Sequence, residues 1–171
     1  MLEMLLESDL YSQVTIYVRK PLGRVHPKLV EQLVNFATIE SWTEADDVYC
    51  CLGATIKTVK TREAFTLIDL HAPLHIAKLQ LYAGSKRLLV ITAAGANPKS
   101  SVFYNRTKGK LEEALNILRK NLGIADEDTK TPVTFDSLVP AQVDLAKVVV
   151  IQLEELCKIH KIKSIMHIEF Q

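Results

Sequence analysis

The alternation of apolar and polar positions predicts four strands in the first part of the chain. Val14, Ile16 and Val18 alternate with hydroxyl-bearing residues, which is the period of a β-strand. Three later strands are predicted at Val30–Phe36, Asp47–Leu52 and Leu88–Thr92. The last of them is nearly continuous in apolar residues, as expected of a strand that is buried on both faces.

Apolar residues three and four positions apart predict helices between these strands. The predicted helices run from the first residues to about Ser8, from 64 to 82 and from about 102 to 121. Pro73 belongs at a break or in a first turn, because a proline inside a helix removes a hydrogen bond. Strands that alternate with helices and are apolar on both faces indicate an α/β fold, with helices on both faces of a parallel sheet.

The pattern changes after the third helix. Gly123 is expected to cap that helix, and residues 125–134 are expected to form a polar connection. Pro140 can begin a further helix, because apolar residues follow at helical spacing. They are Val143, Ala146, Val150, Leu153 and Cys157. Residues 164–170 alternate, which predicts an edge strand with one wet face rather than a central strand.

Composition limits the class of protein. The chain has 171 residues, 48% of them apolar, which favours one domain over residues 1–171. Its 21 Lys and Arg residues nearly balance 20 Asp and Glu residues, so no field of one sign favours nucleic acid or an anionic membrane surface. No apolar run approaches the roughly 20 residues that span a bilayer. The amino terminus does not resemble a secretory signal, so we expect a cytoplasmic protein.

Neither the cysteines nor the histidines predict a metal site. The three cysteines have no C-x-x-C spacing, and their odd number favours reduced, buried thiols. His71 and His75 are four positions apart with Asp69 nearby, which on a continuous helix can form a metal site. Pro73 lies between the two histidines, and we therefore predict solvated or helix-end histidines and no metal.

Tyr104 and Lys108, four positions apart on the third predicted helix, are candidate catalytic residues. This spacing places both side chains on one helical face. An ammonium beside a phenol favours the phenolate, so such a pair can exchange a proton with a carbonyl while the lysine binds a ribose hydroxyl. The same spacing in Tyr82 and Lys86 spans Gly84, where a helix is expected to end. The alternative to a catalytic role for Tyr104 and Lys108 is that both lie on a solvated helix surface.

Short runs along residues 1–122 occur in a distinctive order. They are Leu5–Asp9, Val18–Leu22, Cys50–Lys57, Arg62–Phe65, Gly95–Ser100 and Tyr104–Gly109. In this order they resemble the atypical short-chain dehydrogenase/reductases of the Tat-interacting-protein-like oxidoreductase family. Residues 123–171 form a divergent C-terminal part of the same predicted domain.

The resemblance implies a cofactor, NADP or NAD, bound to a truncated Rossmann-like parallel sheet. In the family a cation after the second strand meets the 2′-phosphate of NADP, and that position falls here on Arg19, with Lys20 beside it. The alternative is a solvated pair of cations. The family loop beside the nicotinamide ribose falls on Leu52, Gly53, Ala54 and Thr55.

The resemblance also implies catalytic roles. Thr92 falls where the family carries its active-site serine, so its hydroxyl would hold a small-molecule carbonyl substrate while Tyr104 donates a proton. Lys108 would support Tyr104 electrostatically and bind the cofactor ribose. The implied activity is carbonyl reduction.

The chain departs from the family at the first strand and its glycine-rich turn, which holds the cofactor pyrophosphate. The six glycines of this chain form no such triplet. The missing strand would lie in mid-sheet, between the strands ending near Val18 and Leu52. We therefore expect the two halves of the sheet to close on each other or a partner chain to cover them, which favours a homo-oligomer. Two functions stay open: an NAD(P)-binding carbonyl reductase, or a non-catalytic interaction or regulatory module that has lost the cofactor.

Overall fold

The computed structural model describes residues 1–36 and 38–121, and the backbone of two strands at 146–151 and 165–169. The helices are α1 (Leu2–Glu7), α2 (Ile56–Val59), α3 (Arg62–Thr66), α4 (Ala72–Tyr82) and α5 (Phe103–Asn121), and a π-helical turn at Leu67–His71 joins α3 to α4. The strands are β1 (Tyr11–Val18), β2 (Leu29–Leu33), β3 (Asp47–Cys50), β4 (Arg87–Ile91), β5 (Ala146–Ile151) and β6 (Ile165–Glu169).

The strands form one sheet in the order β2-β1-β5-β3-β4-β6. Every pairing is parallel except that of β6, which runs antiparallel to β4. Strands β1 to β4 overlap the four strands predicted from the sequence, and β6 is the predicted edge strand. The α/β fold with a Rossmann-like parallel sheet is therefore confirmed.

Strand β5 fills the centre of the sheet, which contradicts two expectations. Val149 pairs with Thr15 of β1 on one side and with Val48 of β3 on the other. The two halves of the sheet therefore do not close on each other, because β5 lies between them. The predicted helix through Ala146 and Val150 is also wrong. Residues 148–151 read Val-Val-Val-Ile, and such a continuous β-branched run is typical of a central parallel strand.

Helices cover both faces of the sheet. On one face α1 buries Leu5 and Leu6 against β1. On the other face α4 and α5 bury their apolar residues against β3 and β4; these include Ile76, Ala77, Leu111 and Leu115. Cys50 and Cys51 belong to opposite faces and are buried free thiols. Burial raises the pKa of Cys50 to about 11, so this sulfur stays a thiol at neutral pH.

A buried polar cluster joins the amino ends of β1, β3 and β4. The Tyr11 hydroxyl donates to Asp47 Oδ2 at 2.8 Å. Arg87 donates to the same carboxylate through Nε at 2.5 Å and Nη2 at 2.7 Å. Burial raises the pKa of Tyr11, and the nearby Tyr49 and Asp47 raise it further. Because β5 lies between β1 and β3, this cluster links the two halves of the sheet by side chains as well as by the β5 ladder.

The long helical segment before β4 behaves largely as predicted. Pro73 lies in the first turn of α4, and the π-helical turn carries the chain into that helix without a break. Helix α4 ends at Tyr82, and Gly84 has φ +79°, a left-handed conformation that favours glycine. Lys86 lies beyond the helix and pairs with Asp46 at 2.7 Å. Tyr82 and Lys86 therefore do not share a helical face.

Several sequence predictions lie outside the described residues. They concern the cap at Gly123, the polar connection at 125–134, the helix start at Pro140 and the thiol of Cys157. Among the residues that are described, no helix has both the length and the apolar composition to cross a membrane.

A proline in β5 should destabilise the protein more than one in β6. Val149 has a strand on each side, so its N–H bonds a neighbouring strand whether it faces β1 or β3. Val149→Pro removes this N–H and leaves a carbonyl of that neighbour unpaired, at a cost of about 1–3 kcal/mol. Ile168→Pro is the matched control on an edge strand. Urea denaturation of both variants measures the difference. A Val149→Pro variant as stable as the wild type would contradict a central position for β5.

Candidate functional site

The predicted site residues follow strands that end at the same edge of the sheet. Arg19 follows β1, Gly53 and Ala54 follow β3 after two further residues, and Thr92 follows β4 directly. Because β1, β3 and β4 all run parallel through β5, their carboxyl ends meet at one edge. This edge is where ligands bind in open α/β sheets.

A cavity of about 430 Å³ opens at this edge. Arg19, Leu52, Gly53 and Ala54 line it, so the structure brings these four predicted cofactor residues together. The rest of the wall is formed mainly by apolar side chains, with one amide, one hydroxyl and two imidazoles: Phe36, Val59, Leu67, Ile68, Ala72, Asn35, Thr58, His71 and His75. An apolar wall with a guanidinium beside it suits a flat ring that carries a phosphate.

Lys20 and Thr55, also predicted to bind the cofactor, do not line this cavity. Lys20 is exposed. Thr55 caps α2, where its hydroxyl accepts the N–H of Thr58 at 3.2 Å. The role of Thr55 in this structure is to begin a short helix.

Lys108 is buried beside the end of β4 and does not line the cavity. Its side chain is 3% exposed, and its Nζ lies 2.7 Å from Oδ1 of Asp69. The same ammonium donates to the carbonyl oxygen of Ile91 at 3.3 Å. Lys108 is therefore next to the backbone that leads into Thr92, which is itself buried.

Asp69 joins Lys108 to the cavity wall. Its Oδ2 accepts the N–H of Ala54 at 2.8 Å, and its side chain is 1% exposed. Burial raises the pKa of Asp69, while the Lys108 ammonium and the Ala54 N–H favour the carboxylate and oppose that rise. One buried carboxylate thus holds both a cation and a loop.

A pattern in the sequence indicates that Asp69 is a buried carboxylate with a charge partner. Phe65, Asp69, Ile76 and Gln80 all lie on the buried face of the segment from α3 to α4. A carboxylate on such a face needs a buried partner, because an unpaired charge there is costly. Asp69 belongs to the π-helical turn, and such turns are frequent at functional sites.

Tyr104 has a different environment from Lys108. Its side chain is 38% exposed, and its ring packs on that of Phe65 with centroids 5.7 Å apart. The hydrogen bond and ion pair that Lys108 makes with described residues go to Ile91 and Asp69, and none goes to Tyr104. The structure therefore brings Lys108 to Thr92 and Gly53, but it does not join the phenol to the ammonium.

Gly109 fixes the turn between β4 and α5. A Cβ at this position would lie 2.2 Å from the backbone carbon of Asn97 and 2.3 Å from the nitrogen of Pro98. The Asn97 N–H donates to the carbonyl of Asn105 at 3.0 Å, which holds the turn on the helix. Any side chain at Gly109 would push this turn away from the helix that carries Lys108.

The histidines of the cavity do not form a metal site with Asp69. His75 Nε2 is 2.9 Å from the carbonyl oxygen of Ile39, so this nitrogen carries a proton and donates. Asp69 is engaged with Lys108. In the part of the chain that the structure describes, no group of three or more His, Cys, Asp or Glu residues is placed to hold a metal ion.

Asp69→Asn should destabilise the protein by about 3–5 kcal/mol, because it leaves the buried Lys108 ammonium without a carboxylate. The double variant Asp69→Leu/Lys108→Met should recover most of that loss, since an apolar pair needs no charge partner. Urea denaturation of the single and double variants measures both effects. A single variant as stable as the wild type would show that the ion pair is not buried in solution.

Gly109→Ala should lower stability and displace the turn at 95–100, since the added methyl group meets backbone atoms that cannot rotate away. We expect a loss of about 1–3 kcal/mol, typical of overpacking. Gly23→Ala is the control variant for a methyl group without a clash, because nothing lies within 4 Å of a Cβ there. The positive φ of 65° at Gly23 strains that variant for a separate reason. Amide chemical shifts of residues 95–100 should change in Gly109→Ala and stay as in the wild type in Gly23→Ala.

Comparison with known proteins supports the resemblance at a distant level. The chain is 24% identical to Protein HTATIP2 of Rattus norvegicus over 147 residues, which cover 77% of this chain and 60% of the relative. It thus spans less than two thirds of the length of that curated relative. No protein-family model matches the chain. The similarity agrees loosely with the NAD(P)-binding, oxidoreductase-like family that the short runs resemble.

Proposed function

We propose that this chain is an NAD(P)-binding protein of the short-chain dehydrogenase/reductase type that reduces the carbonyl group of a small molecule. One observation carries the proposal: a cavity of about 430 Å³ lies at the carboxyl edge of the sheet, and Asp69 links its wall at Ala54 to the buried Lys108. The distant similarity to Protein HTATIP2 supports the same family.

The cavity fits the ends of the cofactor. Arg19 provides a guanidinium for a 2′-phosphate. Gly53 lines the cavity without a side chain, so a ribose can approach its backbone closely. The sequence offers no glycine triplet for the pyrophosphate, so the proposed binding depends on these two ends.

When bound, the reduced nicotinamide supplies the hydride that a carbonyl carbon accepts. The residues of this chain supply the hydrogen bonds and the proton. The Thr92 hydroxyl donates a hydrogen bond to the carbonyl oxygen, and the Tyr104 phenol gives that oxygen its proton, so that the product is an alcohol. Lys108 places a positive charge beneath both groups and donates to the ribose. In this structure the Tyr104 ring packs on Phe65, and its hydroxyl makes no hydrogen bond to Lys108. Turnover requires that hydroxyl to come within hydrogen-bond distance of the ammonium.

The alternative function is a non-catalytic interaction or regulatory module. Two observations favour it: Lys108 is neutralised by Asp69, and Tyr104 makes no hydrogen bond to Lys108. Such a protein would keep the cavity and the scaffold without turnover. Fold similarity does not decide between the two, because one fold supports many functions.

NADPH and NADH titrations test the proposal. We expect both to raise the melting temperature, since a ligand that binds only the folded state stabilises it. Arg19→Ala should weaken NADPH binding about tenfold or more and leave NADH nearly unchanged, because a charge-assisted hydrogen bond to the 2′-phosphate contributes about 1.5–3 kcal/mol. Nicotinamide fluorescence gives both dissociation constants.

Arg24→Ala is the matched control for the loss of a positive charge. Arg24 pairs with Glu3 of α1 and does not line the cavity, so its removal should leave both affinities unchanged. No binding of either nucleotide at millimolar concentration by the folded protein would reject the oxidoreductase and leave the alternative. Binding that Arg19→Ala weakens equally for both nucleotides would remove the phosphate role from Arg19.

A further inference from the structure

We infer that Asp69 is a positioning residue that couples the nucleotide cavity to Lys108, an inference that rests on the proposed function of that cavity. The two oxygens of its carboxylate contact different parts of the fold. Oδ2 accepts the N–H of Ala54 at 2.8 Å, and Ala54 lines the cavity. Oδ1 lies 2.7 Å from the Lys108 ammonium on α5. A movement at either contact is therefore transmitted to the other by one rigid planar group.

Burial makes this coupling strong. Asp69 is 1% exposed and Lys108 is 3% exposed, so water can neither screen their attraction nor replace either partner. The other acceptor that Lys108 finds is the neutral carbonyl of Ile91, at the longer distance of 3.3 Å. If the carboxylate moves, the ammonium has to move with it or stay buried without a counter-charge.

The carboxylate lies directly behind the cavity wall. A Cβ placed on Gly53 would be 3.7 Å from Asp69 Oδ1, and the next residue donates the N–H to Oδ2. A ligand that presses on Gly53 and Ala54 therefore acts on the backbone that orients Asp69. Lys108 does not line the cavity, so a ligand confined to the cavity affects Lys108 through this carboxylate.

Adenosine 2′,5′-bisphosphate is a suitable probe, because it can fill the cavity but has no nicotinamide end to reach Lys108. NMR of protein labelled on backbone nitrogens and on lysine Nζ follows the Ala54 amide and the Lys108 ammonium in one titration. We expect both signals to move in the wild type, with the ammonium moving more than that of the exposed Lys78. Lys108→Met identifies the Lys108 signal by removing it.

Asp69→Asn separates coupling from simple structural support. Asparagine keeps an acceptor oxygen for Ala54 but has no charge for Lys108. We expect the Ala54 amide still to respond to the bisphosphate and the Lys108 ammonium to respond no longer. By reciprocity the bisphosphate should bind this variant about fivefold or more weakly than the wild type. A residue with a merely structural role would lower stability without removing the response of Lys108 alone.

The wild-type titration covers the case in which Asp69→Asn does not fold. Movement of Gly53 and Ala54 without Lys108 in the wild type would overturn the coupling and leave the nucleotide site standing. The coupling is also overturned if Lys108 still responds in Asp69→Asn. No response of any residue would remove both the nucleotide site and the coupling.

Discussion

The backbone of a central strand needs hydrogen-bond partners on both sides, and this requirement organises the fold. Strands β1 and β3 each present an inner edge that would be buried without partners if nothing lay between them. Strand β5 pairs with both, in parallel and over most of their length. It also sets the distance between the chain that leaves β1 and the chain that leaves β3. The cavity lies between the segments that follow β1 and β3, so its width depends on β5, which comes late in the sequence.

The ion pairs of the described residues fall into an exposed group and a buried group. The pairs Arg24–Glu3 and Lys86–Asp46 have at least one partner well exposed, where water and salt screen their attraction, and such pairs contribute little to stability. The pairs Arg87–Asp47 and Lys108–Asp69 are largely buried and lie at opposite ends of the sheet. The first joins the amino ends of β3 and β4, and Tyr11 adds that of β1. The second holds a lysine beneath the carboxyl edge, where a ligand can bind.

The sequence predicted those parts of the fold in which local pattern and tertiary position agree. Val14, Ile16 and Val18 pack together on one face of β1, and the helical spacing in α5 reflects its buried face. Both elements formed as predicted. Residues 146–151 are the exception. Apolar residues at helical spacing overlap there with a β-branched run, and the spacing alone did not decide between helix and strand. A vacant central position in the sheet decided it, because only a strand can pair with two neighbours.

For the candidate site, the order of residues along the chain established which residue types were available. Arg19, Gly53 and Thr92 follow strands, and parallel strands bring their carboxyl ends to one edge, so the location of the site could be deduced from the pattern. Only the tertiary structure decided which charges meet. The helical spacing of Tyr104 and Lys108 indicated a pair, but the buried carboxylate of Asp69 binds the lysine instead. Electrostatic attraction in a dry interior depends on distance and burial, and neither can be read from the spacing of residues along one helix.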